Sequence, residues 1–285
     1  MSLDFLRPHW MAGQILLLTP LEVRLKQSIR MLGDSAPFEL RALGVYGSHE
    51  RIQFRGCRAD GSYIHSDWVD VGNICDRSSG DEMNTNLAPI APSTLYTNRD
   101  VFGYDTQNVG IDEGTSIVTI LQGVKRYETA GASGMYQLSA SALAGRRKRY
   151  TLAVPVDLPA VISSADQVTS IDVRLPMSAG GGGPAFAIYE LSTSGGPANG
   201  FSLLVQIRDE QSRSFSGGEI NGFVPYLSIF QGGPTSRPGT PCVPMIIPPG
   251  QSFKLEWRGG LFGGEVGGPW RIWFAFGGEL FYAAS

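Results

Sequence analysis

The chain has 285 residues, 37 of them glycine and 18 proline, with 17% charged residues, a net charge of −3 and a pI near 5.7. That length buries a large core, as one large β domain or two of ordinary size, and the glycine and proline content suits short strands and tight turns rather than helices. Mild acidity argues against an electrostatic grip on nucleic acid, and no apolar run approaches the ~20 residues of a membrane-spanning helix.

Residues 1–20 read as an N-terminal arm carrying Pro8, Trp10 and Gly13. Met1 to Trp10 lacks a basic segment followed by an apolar one, so secretion by that route is not expected. From Leu21 the pattern has period 2, with Leu21, Val23, Leu25, Ile29 and Met31 on one face and charged or polar residues on the other, as in a strand with one buried face. Strands are expected again at Phe38 to Leu43, Arg51 to Arg55 and Tyr63 to Val69, with Asp60-Gly61 as a hairpin turn. This is the rhythm of an antiparallel sandwich.

Residues 72–114 break that rhythm, because Asn, Asp, Ser, Pro and Thr dominate there. An irregular loop of that length is rare inside a compact domain, so two readings stay open. Either short strands hide in it, or it is an extended arm lying on a neighbouring subunit through anchors such as Leu95, Tyr96 and Phe102. Ser116 to Leu121 is a buried strand. A regular series resumes at Tyr150, Ile171, Phe186 and Phe201, with glycine-rich turns between. The fold class expected is all-β: an antiparallel β-sandwich or jelly roll, as one or two sandwich domains. The boundaries read as an arm at 1–20, a β-rich domain at 21–145 and a C-terminal sandwich at 146–285.

Two segments echo each other. Phe38, Leu40 and Leu43 recur in spacing as Phe186, Ile188 and Leu191, and Ile120 to Tyr127 matches Ala275 to Tyr282 with glycine and tyrosine in register. A duplication and the common habits of β strands both account for this.

Reaction chemistry is hard to find. His9, His49 and His65 lack metal-ligand spacing, and the Gly-x-Ser-x-Gly elbow is absent, so no catalytic residue, metal or cofactor is expected. Asp81-Glu82-Met83-Asn84-Thr85-Asn86 with Asp112-Glu113 could offer oxygens to calcium, but without the EF-hand order. Cys57, Cys75 and Cys242 share no CxxC spacing and are expected as free thiols, a Cys57–Cys75 bridge staying open. Arg146-Arg147-Lys148-Arg149 is a solvated run or a phosphate contact.

The C-terminal run carries the strongest pattern. Pro248-Pro249-Gly250 makes a turn, and Phe253, Leu255 and Trp257 alternate with Ser252, Lys254 and Glu256. Trp270 to Phe276 is apolar on both faces apart from Arg271, as in an inner strand or a contact between chains. Trp257, Trp270, Trp273 and Phe274 are therefore the candidate interface here. A sugar-stacking platform is the other use of such rings.

Ile246 to Trp257, with Phe274-Ala275-Phe276-Gly277-Gly278-Glu279-Leu280-Phe281-Tyr282, resembles the final hairpin of jelly-roll-like virion proteins of tailed bacteriophages. Phe201 to Glu210 and Pro37 to Arg41 are similar to strands that precede it there. The resemblance implies a non-enzymatic virion component of head-decoration, minor capsid or neck type. Such a protein would be made in the host cytoplasm, homo-oligomerise and bind major capsid or neck and tail proteins, with no nucleic acid or membrane as partner. A glycan- or receptor-binding module of a host-recognition apparatus is the alternative.

Overall fold

The structure, a computed structural model, describes residues 5–31, 36–47, 52–57, 61–65, 67–71, 75–77, 85–111, 114–129, 138–159, 168–175, 183–197, 200–232, 239–260 and 269–283. The first half holds β1 (Phe5–Ala12), β2 (Leu16–Leu18), β3 (Val23–Arg30), β4 (Phe38–Gly47), β5 (Ile52–Gly56), β6 (Val69–Asp70), β7 (Cys75–Arg77), β8 (Thr85–Tyr96), β9 (Val101–Asn108) and β10 (Thr115–Tyr127). After the short helix α1 (Ala140–Ala144) come β11 (Arg147–Leu158), β12 (Thr169–Arg174), β13 (Ala185–Ser194), β14 (Leu203–Asp209), β15 (Ser216–Gly218) and β16 (Val224–Pro225). The helix α2 (Tyr226–Ile229) leads to β17 (Gln231–Gly232), β18 (Met245–Ile247), β19 (Ser252–Gly259) and β20 (Trp270–Phe281). The protein is an all-β sandwich.

The chain forms two compact units. One comprises residues 9–125 with 216–224, the other residues 1–8, 126–215 and 225–285. In the first, one sheet runs β1-β10-β4-β8 and the other β3-β9-β5-β6. They close over Met11, Leu40, Val45, Ile117 and Leu121 from one side and Ile29, Phe54, Phe102 and Tyr104 from the other, all buried. In the second, β11-β20-β13, with β18 also on β13, makes one sheet, and β12-β19-β14-β16 the other. Its core is aromatic, with Phe253 meeting Phe276 at 4.8 Å and Phe230 meeting Phe274 at 4.8 Å between ring centroids.

Set aside the short β2, β7, β15 and β17, and number the remaining eight strands of each unit in chain order, β1, β3, β4, β5, β6, β8, β9, β10 and β11, β12, β13, β14, β16, β18, β19, β20. Both units then show the orders first–eighth–third–sixth and second–seventh–fourth–fifth. This is the double Greek key of a jelly roll.

The echo in the sequence falls on paired strands. In the first unit Leu121 opposes Leu43, Gln122 opposes Ala42 and Gly123 opposes Leu40, so Arg41 is the extra residue of a bulge. In the second Phe276 opposes Leu191, Gly277 opposes Glu190 and Gly278 opposes Ile188, leaving Tyr189 as the extra residue. The echo pairs Gly123 with Gly278, and both glycines serve one purpose. A Cβ on Gly123 would overlap the Glu39 carbonyl oxygen, and a Cβ on Gly278 that of Ala187, the matching residue. Register, bulge and glycine are thus repeated together.

One expectation needs correction. Phe5–Ala12, read as part of an arm, is a strand, and its buried Arg7 and His9 had hidden the alternation. Of the two readings open for residues 72–114, hidden strands is the one found among the described residues: Thr85–Tyr96 forms β8 and Val101–Asn108 forms β9, and β8, which carries Pro89 and Pro92, bulges against β4 between Leu40 and Ala42. Among the described residues that segment is sheet rather than arm.

Candidate functional site

β20 is the inner strand of the second unit's sheet, paired with β11 on one side and β13 on the other. Its side chains alternate. Ile272, Phe274, Phe276 and Leu280 enter the core, while Arg271 and Trp273 are exposed and Ala275 half-buried. The registers lay the outward side chains of β11, β20 and β13 in successive rows. These are Arg149–Glu279–Ala187, Thr151–Gly277–Glu190, Ala153–Ala275–Ser192, Pro155–Trp273–Ser194 and finally Asp157–Arg271.

Each end of this face carries an ion pair. Arg271 donates to Asp157 from Nε at 2.7 Å and from Nη2 at 2.9 Å, a bidentate geometry. The hydrogen bonds from Arg271 hold the Asp157 carboxyl below the usual carboxylate range and push the guanidinium up in turn. At the other end Arg149 Nη2 lies 3.4 Å from each carboxylate oxygen of Glu190. There Arg149, Tyr189, Glu190, Gly278 and Glu279 line an open groove of about 320 Å³. Burial, followed by the nearby Glu279 charge, raises the Tyr189 hydroxyl. Beyond the groove α1 covers the sheet, Ala142 packing with Ala185, Ala187 and Phe281. The two ends are charged, the middle is small, and a single indole stands on it.

The first unit's matching sheet differs. From Ile117 to Lys125 every residue of β10 is buried. Val118, Ile120 and Val124, which alternate with the core residues Ile117 and Leu121, are as buried as they are. One jelly roll has this sheet buried on both faces, and the other presents a face to solvent.

Of the residues singled out in the sequence, Trp273 stands on this face at 42% exposure and Trp270 is half-buried at its end opposite Leu158. Phe274 is on the reverse side, fully buried against Phe230. Trp257 is half-buried on β19 between Thr169 and Val205. The other three lie in the first unit. Leu95 is 51% exposed on β8, whereas Tyr96 and Phe102 are core residues in edge-to-face contact. The outward small residues and the two ion pairs were invisible to sequence reading, because only the β11–β20–β13 register aligns them.

A second charged cluster is structural. Asp105 accepts from Arg55 Nε at 3.2 Å and Nη2 at 2.7 Å and from the Lys26 backbone N–H at 2.8 Å. The Arg55 guanidinium also lies 4.2 Å from the Tyr63 ring and 5.0 Å from that of Trp68, an aromatic clamp. Cys57 and Cys242 are free thiols. Residues 81–84 and 112–113, considered for calcium, lie outside the described residues. Among the described residues no group of three or more His, Cys, Asp or Glu gathers as a metal cluster, and no helix is long and apolar enough to cross a membrane.

No family model matches the chain, and no curated protein matches it. Solved structures similar to it include PBCV-1 VP54 fitted into a reconstruction of the virophage Sputnik, at 9% identity and a TM-score of 0.28, covering 100% of this chain and 98% of that one. The PBCV-1 virus capsid is similar at 10% identity and a TM-score of 0.26, again covering 100% and 98%. The major capsid protein of bacteriophage PM2 is similar at 9% identity and a TM-score of 0.20, covering 94% of this chain and 98% of that one.

Proposed function

We propose that this chain is a virion structural protein, a building block that works by burying sheet faces against other virion proteins, without turnover. The observation that carries the reading is the tandem jelly roll with one bare sheet face. Jelly rolls serve as viral capsid domains, and also as lectins and cupins, so the fold alone does not decide among them. The bare face favours assembly. It combines an exposed indole, small residues that let another backbone approach, and charges already paired within the chain, which is the make-up of a protein contact. The resemblance of residues 246–257 and 274–282 to the closing hairpin of tailed-phage virion proteins points the same way. Within that role it favours a decoration, minor capsid or neck component, made in the host cytoplasm and carried in the particle.

The test is fractionation. Particles purified on a density gradient and stripped of loosely bound protein should retain the chain in the particle band. Its presence only in the soluble fraction would refute a virion role.

A further inference from the structure

The bare face is complementary to itself. Consider a two-fold axis lying in the plane of the face, across the strands, through the Ala153–Ala275–Ser192 row. Such an axis keeps each strand over its own copy and reverses its direction. Arg149 then faces Asp157 of the second copy, and Glu279 faces Arg271. Trp273 faces Gly277, over which the Glu190 side chain folds, so the indole meets that side chain. The central row faces itself, small residue against small residue. Stacked sheets turn by about 30° relative to each other, an offset that the long arginine side chains span.

From this match of charge about a row of small residues we infer that the β11–β20–β13 face binds a second copy of the chain as an isologous contact. The sister sheet gives the physical reason. Its outward residues Val118, Ile120 and Val124 are buried, and here the same surface of the repeated fold remains to be covered. The rows from Arg149 to Asp157 span about 27 Å, and three strands are about 15 Å wide, on the order of 400 Å² for each copy. That is the size class of weak, reversible contacts. Association of the free protein is therefore expected in the micromolar range, tightening where many copies are held on one surface. The inference goes beyond the virion role, because copies could join through this face whatever larger body they belong to.

The decisive variants are at the axis, where residue 275 meets its own copy. In sedimentation equilibrium the wild type should show a monomer–dimer equilibrium. Ala275→Glu and Ala275→Lys should each be monomeric, and their equimolar mixture should dimerise, since opposite charges then meet. Folding of both is checked by far-ultraviolet circular dichroism. Trp273→Ser, an exposed substitution, provides a second test and should weaken the dimer about 30-fold, as loss of a central aromatic anchor does. A wild type that stays monomeric to about 1 mM would overturn the inference. So would Ala275→Glu dimerising like wild type, or a mixture that remains monomeric. A wild type that stays monomeric but binds a glycan array through Trp273 would assign the face to a sugar instead. A chain that dimerises in this way yet is absent from purified particles would leave the dimer standing and remove the virion role.

Discussion

Replacing Gly123 or Gly278 with alanine tests the repeated device at the heart of both units. Each new methyl group would overlap a backbone carbonyl oxygen on the paired strand, that of Glu39 or of Ala187. Overpacking costs typically 1–3 kcal/mol. Here the obstacle is a bulged backbone, not a flexible side-chain tip, so the cost belongs at the upper end, about 3 kcal/mol. For a unit of roughly 130 residues, an unfolding entropy of about 0.27 kcal/mol/K makes that a fall in Tm of about 10 °C. Gly103→Ala is the control. Its Cβ would meet nothing closer than the Cys57 Cβ at 3.6 Å, an ordinary contact. Alanine there replaces a flexible strand glycine and should stabilise by about 0.5 kcal/mol. Scanning calorimetry and circular dichroism melts of the three variants decide the matter. If Gly123→Ala and Gly278→Ala melt within about 2 °C of wild type, or if Gly103→Ala falls as far as they do, the shared packing argument is wrong.

Three further outcomes are expected. Arg7→Ala should destabilise the second unit by about 2–3 kcal/mol, read by denaturant unfolding, because Asp209 keeps its contact with Arg213. The buried guanidinium donates to Asp209 at 2.9 Å and to the Arg213 carbonyl at 2.8 Å and lies 3.9 Å from the Phe215 ring centroid. Burial pushes the Tyr104 hydroxyl up to about 12, so its neutral form stabilises the first unit fully below about pH 10 and progressively less up to about pH 12. Near pH 11 the wild type should have lost about 1.4 kcal/mol from this group, and Tyr104→Phe should lose that much less; equal losses would contradict the assignment. Truncation before Trp270 removes the strand between β11 and β13 and should leave the second unit unfolded, seen as lost amide protection across residues 147–194; retained protection would show that β20 is dispensable.

How far the sequence could be read depended on the range of the interaction. Alternation is local, so Phe253, Leu255 and Trp257 announced β19, and the shared spacing around Phe38 and Phe186 exposed the repeat. β1 escapes sequence reading, and β8 stays one of two open readings, because burial on both faces or internal prolines erase alternation, and only pairing with distant strands makes them strands. β15 was missed likewise: Ser216 to Gly218 lies parallel to Trp10 to Ala12, more than two hundred residues away in sequence. For the candidate face the sequence singled out Trp273, with Trp270 at its end, and offered Arg149 and Arg271 only as isolated charges. Ala153, Ala275 and Ser192 are unremarkable singly, and they form a surface only in the register of β20 with its neighbours. Phe274, next to Trp273 and equally apolar, faces the opposite way, a distinction that composition does not carry.

A virion role requires that the chain be a component of a particle. Quantitative mass spectrometry of gradient-purified virions, with isotope-labelled peptides of this chain as standards, measures that directly. A virion component should show a fixed copy number per particle, constant between preparations and unchanged by a salt wash. A trace amount that varies between preparations and washes away would contradict it.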